Sequence, residues 1–330
     1  MANTLVVSHA DDIDGVGSAS LLKLRYHLNS KDLFFVNHSR VDFENAIRRI
    51  TPRLGNGAIV FFTDLSLNEN LTGLVSRFVR LVNSKGGSVV WLDHHYWSDA
   101  AIKEIAARCE FAIVGENRCA CATDITKRYT RLTGDFVERF VGLVHCIDLY
   151  LGFGSQQNPA WSRSAARTYT MCINHLGRGD SFDARQERLR RVADVISSGR
   201  FFDKRMREAA KSYERTNNKR IKALLGSMEV ISGKMAVAFS KEVDSSDACH
   251  EMIDRSGADI SILVKTGSRT ASIRSVKSDI SALAMSFGGG GHPHAAGFEV
   301  PRSYDISNAR GRKRLLNAIV AKSKKLGLLR

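Results

Sequence analysis

The sequence is poor in proline and has no long apolar run. Only 4 of its 330 residues are proline, and no apolar stretch approaches 18 residues. A transmembrane helix needs about 20 predominantly apolar residues, so we expect no membrane span. The segment from Met1 to Val7 is too short, and too soon followed by acidic residues, for a secretory signal. We therefore expect a cytoplasmic protein that does not bind a membrane.

The cysteines lack the usual spacing of a zinc site. Six are scattered along the chain, and only Cys119 and Cys121 lie close together, with one residue between them. Structural zinc sites commonly place two to four residues between paired cysteines. The pattern favours reduced, buried thiols in a cytosolic protein.

Acidic residues are outnumbered by basic ones. The chain has 49 Lys and Arg against 34 Asp and Glu, a net charge of +15. Such an excess attracts polyanions, including nucleic acids and nucleotides. Residues 185–222 hold 13 basic and 5 acidic residues, and the segment from Arg310 onward holds 8 basic and none acidic. The 43% apolar content excludes a disordered or fibrous protein, and the length predicts two domains.

Short apolar runs alternate with helical patterns in the first half of the chain. Strands are predicted at 4–8, 33–37, 58–63 and 88–92, and helices at 16–28, 43–50 and 71–84. This alternation predicts a parallel sheet with helices on both faces. Strands buried on both sides carry continuous apolar runs, as these do.

The pattern changes near residue 185. We predict a basic helical connector over 186–225, interrupted around Ser197–Gly199. Strands return at 235–239, 259–264 and 270–274, with a helix at 246–256 and a helical basic tail. The predicted organisation is a parallel-sheet α/β domain over 1–185, the connector, and a smaller α/β domain over 226–330.

Acidic and imidazole side chains follow three of the predicted strands. The groups, in chain order, are His9, Asp11, Asp12 and Asp14; Asp64; and Asp93, His94 and His95. Ligands of open α/β sheets bind beyond the carboxyl ends of the strands, so these groups should share one edge. Each group alone has a plain structural explanation, such as a helix cap for Asp64. Their coincidence indicates a ligand site.

One more acid, Asp148, lies inside an apolar helical stretch. A buried carboxylate needs hydrogen bonds or a cation. A divalent cation relieves both the desolvation and the mutual repulsion of clustered carboxylates. Oxygen and imidazole ligands suit Mn²⁺ or Mg²⁺, and the histidines favour Mn²⁺. Two such ions can stabilise the attacking and leaving oxygens of a phosphoryl displacement.

A glycine run, Gly288–Gly291, precedes two histidines in the second half of the chain. Consecutive glycines permit backbone N–H groups to converge on an anion. Arg274, at the end of a predicted strand, suits bidentate phosphate contact. A flexible linker is the alternative, but small residues and His-Pro-His follow the run instead of more Ser and Gly. We expect a phosphate-binding segment.

These residues resemble the DHH phosphoesterase superfamily, which is named after the motif present here as Asp93-His94-His95. His9, Asp12 and Asp14 resemble its first motif, Asp64 its second and Asp148 its fourth. The segment from Thr270 to Ser275 and the glycine run resemble the DHH-associated C-terminal domain of nanoRNases, cyclic-dinucleotide phosphodiesterases and RecJ-like proteins. The resemblance covers roughly 1–150 and 226–300, and not the connector or tail.

The resemblance implies two Mn²⁺ ions, with Mg²⁺ or Co²⁺ as substitutes. His9, Asp12 and Asp64 would hold one ion, and Asp14, Asp64, His94 and Asp148 the other. His95 would face the scissile phosphate, and Asp93 would orient an imidazole. Asp11 is the alternative to Asp12; Asp12 is preferred because the Asp-x-Asp-Gly pattern needs Asp14 two residues later. The substrate-binding residues implied in the second domain are Arg274, Ser275, Gly289, Gly290, Gly291, His292 and His294.

The activity implied is hydrolysis of short oligoribonucleotides or dinucleotides to mononucleotides. Alternatives are hydrolysis of a cyclic dinucleotide such as cyclic di-AMP, and removal of the 3′-phosphate of adenosine 3′,5′-bisphosphate. A further alternative is a RecJ-like exonuclease that holds a longer single strand through the basic connector. A scaffold with a degenerate site is disfavoured because every expected metal position is filled. A homodimer is compatible with these expectations.

Overall fold

The computed structural model describes residues 3–67, 69–115, 119–149, 160–177, 181–241 and 243–329. They form two compact units, Met1–Tyr213 and Glu214–Arg330. Among the helices described, none combines the length and the apolar character that crossing a membrane requires.

The first unit contains a five-stranded parallel sheet with the order β2-β1-β3-β4-β5. Its strands are β1 (Thr4–His9), β2 (Leu33–Val36), β3 (Ile59–Thr63), β4 (Ser88–Leu92) and β5 (Phe111–Ile113). The predicted parallel α/β architecture is confirmed. The four predicted strands are present within a residue or two of the expected bounds. The fifth strand, β5, was not predicted.

Nine helices of the described chain begin in this unit. They are α1 (Ile13–Tyr26), α2 (Arg40–Ile50), α3 (Glu69–Ser84), α4 (Asp99–Glu104), α5 (Ala122–Thr130), α6 (Asp135–Asp148), α7 (Ala160–Leu176), α8 (Phe182–Ser197) and α9 (Lys204–Leu225). The sheet has a core on each face, because successive strand side chains point to opposite sides. Val6 joins the core under α1, α5, α6 and α8, and its neighbours Leu5 and Val7 join the core under α2 and α3.

The predicted connector is divided between the two units. Leu189 and Val192 of α8 are buried in the first core, and Leu224 of α9 belongs to a core of the second unit. The buried Gln186 amide donates to the Phe35 carbonyl at 2.6 Å and accepts the Phe35 N–H at 2.7 Å, so it pairs the free edge of β2. Residues 186–197 are therefore part of the first unit. The periodicity predicted the helices but not what they pack against.

The second unit contains a six-stranded mixed sheet with the order β10-β11-β9-β8-β7-β6. Its strands are β6 (Glu229–Ile231), β7 (Met235–Ser240), β8 (Ile260–Lys265), β9 (Thr270–Ser275), β10 (Gly290–His292) and β11 (Ala295–Glu299), and its further helices are α10 (Ser245–Ser256), α11 (Ser281–Met285) and α12 (Ala309–Lys325). Helix α12 packs on one face, and α10 with the end of α9 on the other. The predicted smaller α/β domain is confirmed as a fold.

Candidate metal centre

The predicted ligands lie at the carboxyl edge of the parallel sheet. His9 ends β1, Asp64 follows β3, and Asp93 follows β4. The three strands are neighbours in the sheet, so the side chains that follow them are brought together as expected. Asp64 has a left-handed backbone, with φ of 56°. A non-glycine residue seldom adopts this conformation, which is concentrated at functional sites.

Asp12 and Asp14 are placed by the start of α1. The Asp12 carboxylate caps the helix by accepting the Gly15 N–H at 3.0 Å. A side chain at Gly15 would put its Cβ 2.4 Å from the His9 carbonyl oxygen, so only glycine fits where α1 meets β1. Asp14 is 1% exposed and accepts the N–H groups of Ala122 and Thr123, at 2.7 and 2.8 Å. The N-terminus of α5 therefore holds the Asp14 carboxylate in place.

His94 lies among three carboxylates that come from different elements. Its Nε2 is 3.8 Å from Asp14 Oδ2, 3.7 Å from Asp64 Oδ1 and 3.5 Å from Asp148 Oδ2. His94 Nε2, both Asp64 oxygens and Asp148 Oδ2 are buried without a hydrogen-bond partner. Buried polar atoms are seldom left unpaired, so these four need a ligand.

The electrostatics of the cluster also call for a cation. Burial, together with the charges of Asp12 and Asp14, raises the pKa of Asp64 well above its usual range. Burial and the charges of Asp14 and Asp12 raise the pKa of Asp148 to about 8. Burial and the Asp12 charge raise the pKa of Asp14 as well. Carboxylates crowded in this way repel one another unless positive charge is added.

His9 and Asp12 form a pair beside this cluster, and Asp12 also interacts with Asp64. His9 Nε2 lies 3.7 Å from Asp12 Oδ2, and His9 Nδ1 is buried without a partner. Burial opposes ionisation of Asp12, but His9 and the Gly15 N–H outweigh it and lower the pKa of Asp12. Within the described chain, the groups of three donors within 4.8 Å include Asp14, Asp64, His94, His95 and Asp148 but not His9 or Asp12. The ligand set implied for the first ion is thus less closely assembled than the set for the second.

Asp93 orients His95. The Asp93 carboxylate is fully buried and makes hydrogen bonds of 2.8 Å to His95 Nδ1 and 2.7 Å to the indole N–H of Trp97. The His95 side chain is 41% exposed, and its Nδ1 lies 3.6 Å from Asp64 Oδ1. Burial disfavours the imidazolium, but the hydrogen bond and charge of Asp93 outweigh burial and raise the pKa of His95. Asp93 therefore fixes an accessible imidazole beside the carboxylate cluster.

His38 also lies at this edge, although no sequence motif indicated it. It follows β2, its ring centroid is 4.8 Å from that of His9, and its Nε2 is 3.2 Å from the Ser66 hydroxyl. Burial, then the nearby His9 and His95, lower the pKa of His38 to about 4. Like His9, it directly follows a predicted strand, and this position could have identified it as a candidate site residue.

The donor set fits a divalent cation. Carboxylate oxygens and imidazole nitrogens are the ligands that Mn²⁺ and Mg²⁺ accept in proteins. The orphaned atoms of Asp64, His94 and Asp148 are of these types. Every ion pair of Asp14, Asp64 and Asp148 in the described part of the chain is with a histidine. Lysine and arginine therefore do not neutralise this cluster there.

The glycine run of the second unit forms a hairpin and not an open loop. Strand β10 pairs with β11 through Gly290 opposite Gly297. A Cβ on Gly289 would lie 2.1 Å from the Gly297 carbonyl oxygen, whereas a Cβ on Gly290 would meet nothing within 4 Å. Close packing of the chain requires glycine at 289, a purpose unrelated to anion binding. The phosphate-binding role of Gly289, Gly290 and Gly291 stays a prediction.

The other predicted substrate residues surround this hairpin. Arg274, on β9, stands opposite Ala295 of β11 and donates to the Ile273 carbonyl at 3.0 Å. The Ser275 hydroxyl lies 3.2 Å from His294 Nδ1 and donates to the Ser278 carbonyl at 2.5 Å. The side chain of His292 falls outside the described part of the chain. Their substrate contacts also stay predictions.

Comparison with known proteins identifies the fold. No family model and no curated protein matches the sequence. Among solved structures, the chain is similar to a pGpG-specific phosphodiesterase from Vibrio cholerae, with 15% identity, TM-score 0.54 and coverage of 97% of this chain and 99% of that one. It is also similar to an exopolyphosphatase-related protein from Bacteroides fragilis, with 16% identity, TM-score 0.52 and coverage of 98% and 93%.

A third similar structure is RecJ from Thermus thermophilus in complex with Mn²⁺, with 13% identity and TM-score 0.52. The alignment covers 97% of this chain and 52% of RecJ. Identities this low establish the fold and not the activity. The chain therefore shares the fold of these three structures, and this is the kind of two-domain α/β fold that the resemblance to the DHH superfamily implied.

Proposed function

We propose that the protein is a divalent-metal-dependent phosphodiesterase that hydrolyses short oligoribonucleotides or dinucleotides to mononucleotides. The observation that carries the proposal is the meeting of His94 with Asp14, Asp64 and Asp148, four side chains from four elements. Three of them present buried polar atoms that have no partner. An anionic phosphodiester cannot approach such carboxylates unless cations lie between them.

The proposed metal ligands are His9, Asp12, Asp14, Asp64, His94 and Asp148, with Mn²⁺ as the preferred ion. When bound, the metal supplies charge that lowers the pKa of a water nucleophile and stabilises the phosphoryl oxygens. The N–H groups at the start of α5 hold the Asp14 carboxylate in one orientation. This fixed orientation reduces the reorganisation that binding would otherwise require.

His95 is the proposed catalytic residue at the scissile phosphate. Its Nδ1 is committed to Asp93, which is itself held by the Trp97 indole, so the ring has one orientation. The other ring nitrogen, Nε2, is then the atom that can hydrogen-bond a phosphate oxygen or hand a proton to the leaving oxygen. Asp93 acts through His95 as a positioning residue.

A short substrate is favoured by the similarity to a phosphodiesterase that is specific for pGpG and matches 99% of its length. RecJ, by contrast, extends well beyond the half that aligns with this chain. A RecJ-like exonuclease remains the second candidate, because exposed lysines such as Lys211 and Lys219 stand on α9. Basic helices of this kind can contact a polynucleotide backbone.

The test is a substrate panel assayed with purified protein and Mn²⁺. It holds a linear dinucleotide, a cyclic dinucleotide, adenosine 3′,5′-bisphosphate, and RNA and DNA of graded length. We expect the fastest turnover on the linear dinucleotide, with loss of activity in chelator and in Asp64→Asn. An exposed control, Asp254→Asn on α10, should retain activity. Equal rates on short and long strands, or preference for either alternative small substrate, would overturn the proposed specificity.

A further inference from the structure

A second group of metal-type donors lies in the first unit, apart from the proposed catalytic ligands. Cys121, Asp124 and His145 each offer a ligand atom within 4.8 Å of the other two. Asp124 and Cys121 belong to the start of α5, and His145 to the last turn of α6. The group therefore joins two helices. None of its three residues was assigned a role above.

The contacts within the group are close. His145 Nδ1 lies 2.6 Å from Asp124 Oδ2, and the same oxygen accepts the Cys121 N–H at 3.0 Å. The Cys121 side chain is fully buried, whereas those of Asp124 and His145 are 16% and 28% exposed. A thiol, a carboxylate and an imidazole thus converge at a site that solvent reaches from one side.

We propose that Cys121, Asp124 and His145 bind a thiophilic divalent cation of the Zn²⁺ class, at a site distinct from the carboxylate cluster around Asp64. Zn²⁺ accepts Cys, His and Asp ligands in one tetrahedral shell. Ligand nitrogen and oxygen atoms about 2.0–2.2 Å from zinc stand about 3.3 Å apart in that geometry, so His145 and Asp124 need to separate by less than about 1 Å. Solvent can fill a fourth position.

The ion would release the proton of the buried thiol, because a zinc ligand is a thiolate. The spacing Cys119-x-Cys121 did not suggest zinc in the sequence. The completing ligand, His145, lies 24 residues further along and is brought in only by the packing of α6 on α5.

The site has a structural consequence for the carboxylate cluster. The residue after Cys121 is Ala122, whose N–H binds Asp14, and three residues after His145 comes Asp148. An ion that ties Cys121 to His145 would fix the start of α5 to the end of α6. It would thereby fix the helix termini that carry or hold two of the proposed catalytic ligands.

The test uses Co²⁺, which produces a thiolate-to-metal charge-transfer band in the near ultraviolet. Because Cys121 lies beside Asp14 of the carboxylate cluster, the band must also persist in Asp64→Asn if it reports the new site, and its loss in that variant would assign the ion to the cluster and overturn the proposal. We expect the band in the full-length protein, in Asp64→Asn and in Cys249→Ser, which removes another buried thiol. We expect it to be absent in Cys121→Ser, a substitution that keeps a good helix N-cap.

Absence of the band in the unmodified protein, or its survival in Cys121→Ser, would overturn the proposal. If Cys121→Ser fails to fold by circular dichroism, His145→Gln serves as the second variant. In a Co²⁺ titration followed by the charge-transfer band, this variant should bind Co²⁺ at least about tenfold more weakly, in line with the effect of changing the surroundings of a bound metal. An unchanged affinity would overturn the proposal. The band is measured without substrate, so the test of this metal site does not depend on the outcome of the phosphodiesterase assay.

Discussion

Replacing Asp64 with Asn should stabilise the metal-free protein and remove most of the stabilisation that metal provides. Asp64 is 1% exposed, and neither of its carboxylate oxygens has a hydrogen-bond partner. An unsatisfied buried polar group costs about 1–3 kcal/mol, and more when it is charged. The Asn amide is neutral and of the same shape, and it can donate toward His94 or a neighbouring carboxylate.

We therefore expect Asp64→Asn in chelator at pH 7 to gain about 1–3 kcal/mol, which corresponds to about 2–12 °C in Tm for a unit of this size. With Mn²⁺ at about 100 times its Kd, the unmodified protein should gain about 2.7 kcal/mol by mass action. The variant should gain much less, because it lacks a central ligand. The order of stability thus reverses between chelator and Mn²⁺.

The advantage of the variant should depend on pH in a defined direction. Burial and neighbouring carboxylates raise the pKa of Asp64 in the folded state. Below the unfolded-state pKa of about 3.9, both states bind the proton and the penalty vanishes. The penalty grows as the pH rises from there toward the folded-state pKa. The difference in Tm between the two proteins in chelator should therefore be small in acid and larger at neutral pH.

The assay is thermal or urea unfolding of the full-length protein, followed through the transition of the first unit, in chelator and in Mn²⁺. Asp254→Asn is the exposed control. The control should change stability by less than about 0.5 kcal/mol. A lower Tm of Asp64→Asn in chelator would show that the Asp64 carboxylate is already satisfied without metal. Equal Mn²⁺ stabilisation of both proteins would show that Asp64 holds no metal. Either result refutes the reasoning.

Three further predictions concern single substitutions. Asp12→Asn keeps a helix cap but removes a proposed metal ligand, so kcat/KM should fall by more than the roughly 100-fold that loss of a residue behind the metal ligands typically causes. Asp11→Asn should keep most of the activity. The opposite order would exchange the roles of Asp11 and Asp12. Trp97→Phe removes the indole N–H that donates to the buried Asp93 carboxylate and should lower kcat about tenfold. The metal content, measured by elemental analysis, should stay unchanged. Loss of metal would contradict a positioning role for Asp93. Gly289→Ala should destabilise the second unit by about 1–3 kcal/mol in urea unfolding and Gly290→Ala by much less; equal effects would contradict the hairpin.

The sequence predicted the strands of the first unit, and the sheet edge where the candidate ligands lie, because both depend on local patterns. Apolar runs such as those of β1 and β4 need burial on two faces, which only a covered parallel sheet provides. The carboxyl ends of neighbouring parallel strands then meet at one edge, which places His9, Asp64 and His94 along the same edge without further information. The same rule applied to the end of β2 would have added His38.

The sequence did not predict contacts that depend on packing between distant elements. Cys121 and His145 approach each other because α6 packs on α5, and no periodicity records that angle. The sequence predicts an anion-binding role for the glycine run, which stays untested, but it does not predict that Gly289 is required because the Gly297 carbonyl oxygen lies 2.1 Å from where its Cβ would stand. A short sequence pattern cannot distinguish glycine needed for a ligand from glycine needed for the neighbouring strand.

The basic segment illustrates why net charge is a weak guide to the reaction. Arg185 is 8% exposed and pairs with Asp42, Arg188 donates to the Leu176 carbonyl at 2.9 Å, and Arg190 donates to the Leu33 carbonyl at 2.8 Å. These arginines hold α8 in the first unit and are not spare charge for a polynucleotide. Reversing their charge would damage the fold, so a test of strand binding belongs on the exposed lysines of α9.

The proposed chemistry depends instead on a local shortage of positive charge in a protein that has a large surplus. The carboxylates of Asp14, Asp64 and Asp148 form ion pairs only with histidines among the described residues, although the chain carries +15 overall. If lysine or arginine neutralised them, the fold would gain stability and the cluster would have no need of a cation. Because no lysine or arginine compensates them among the described residues, we expect binding of the proposed metal and folding of this edge to be coupled, so that metal affinity would be gained at the expense of stability in its absence.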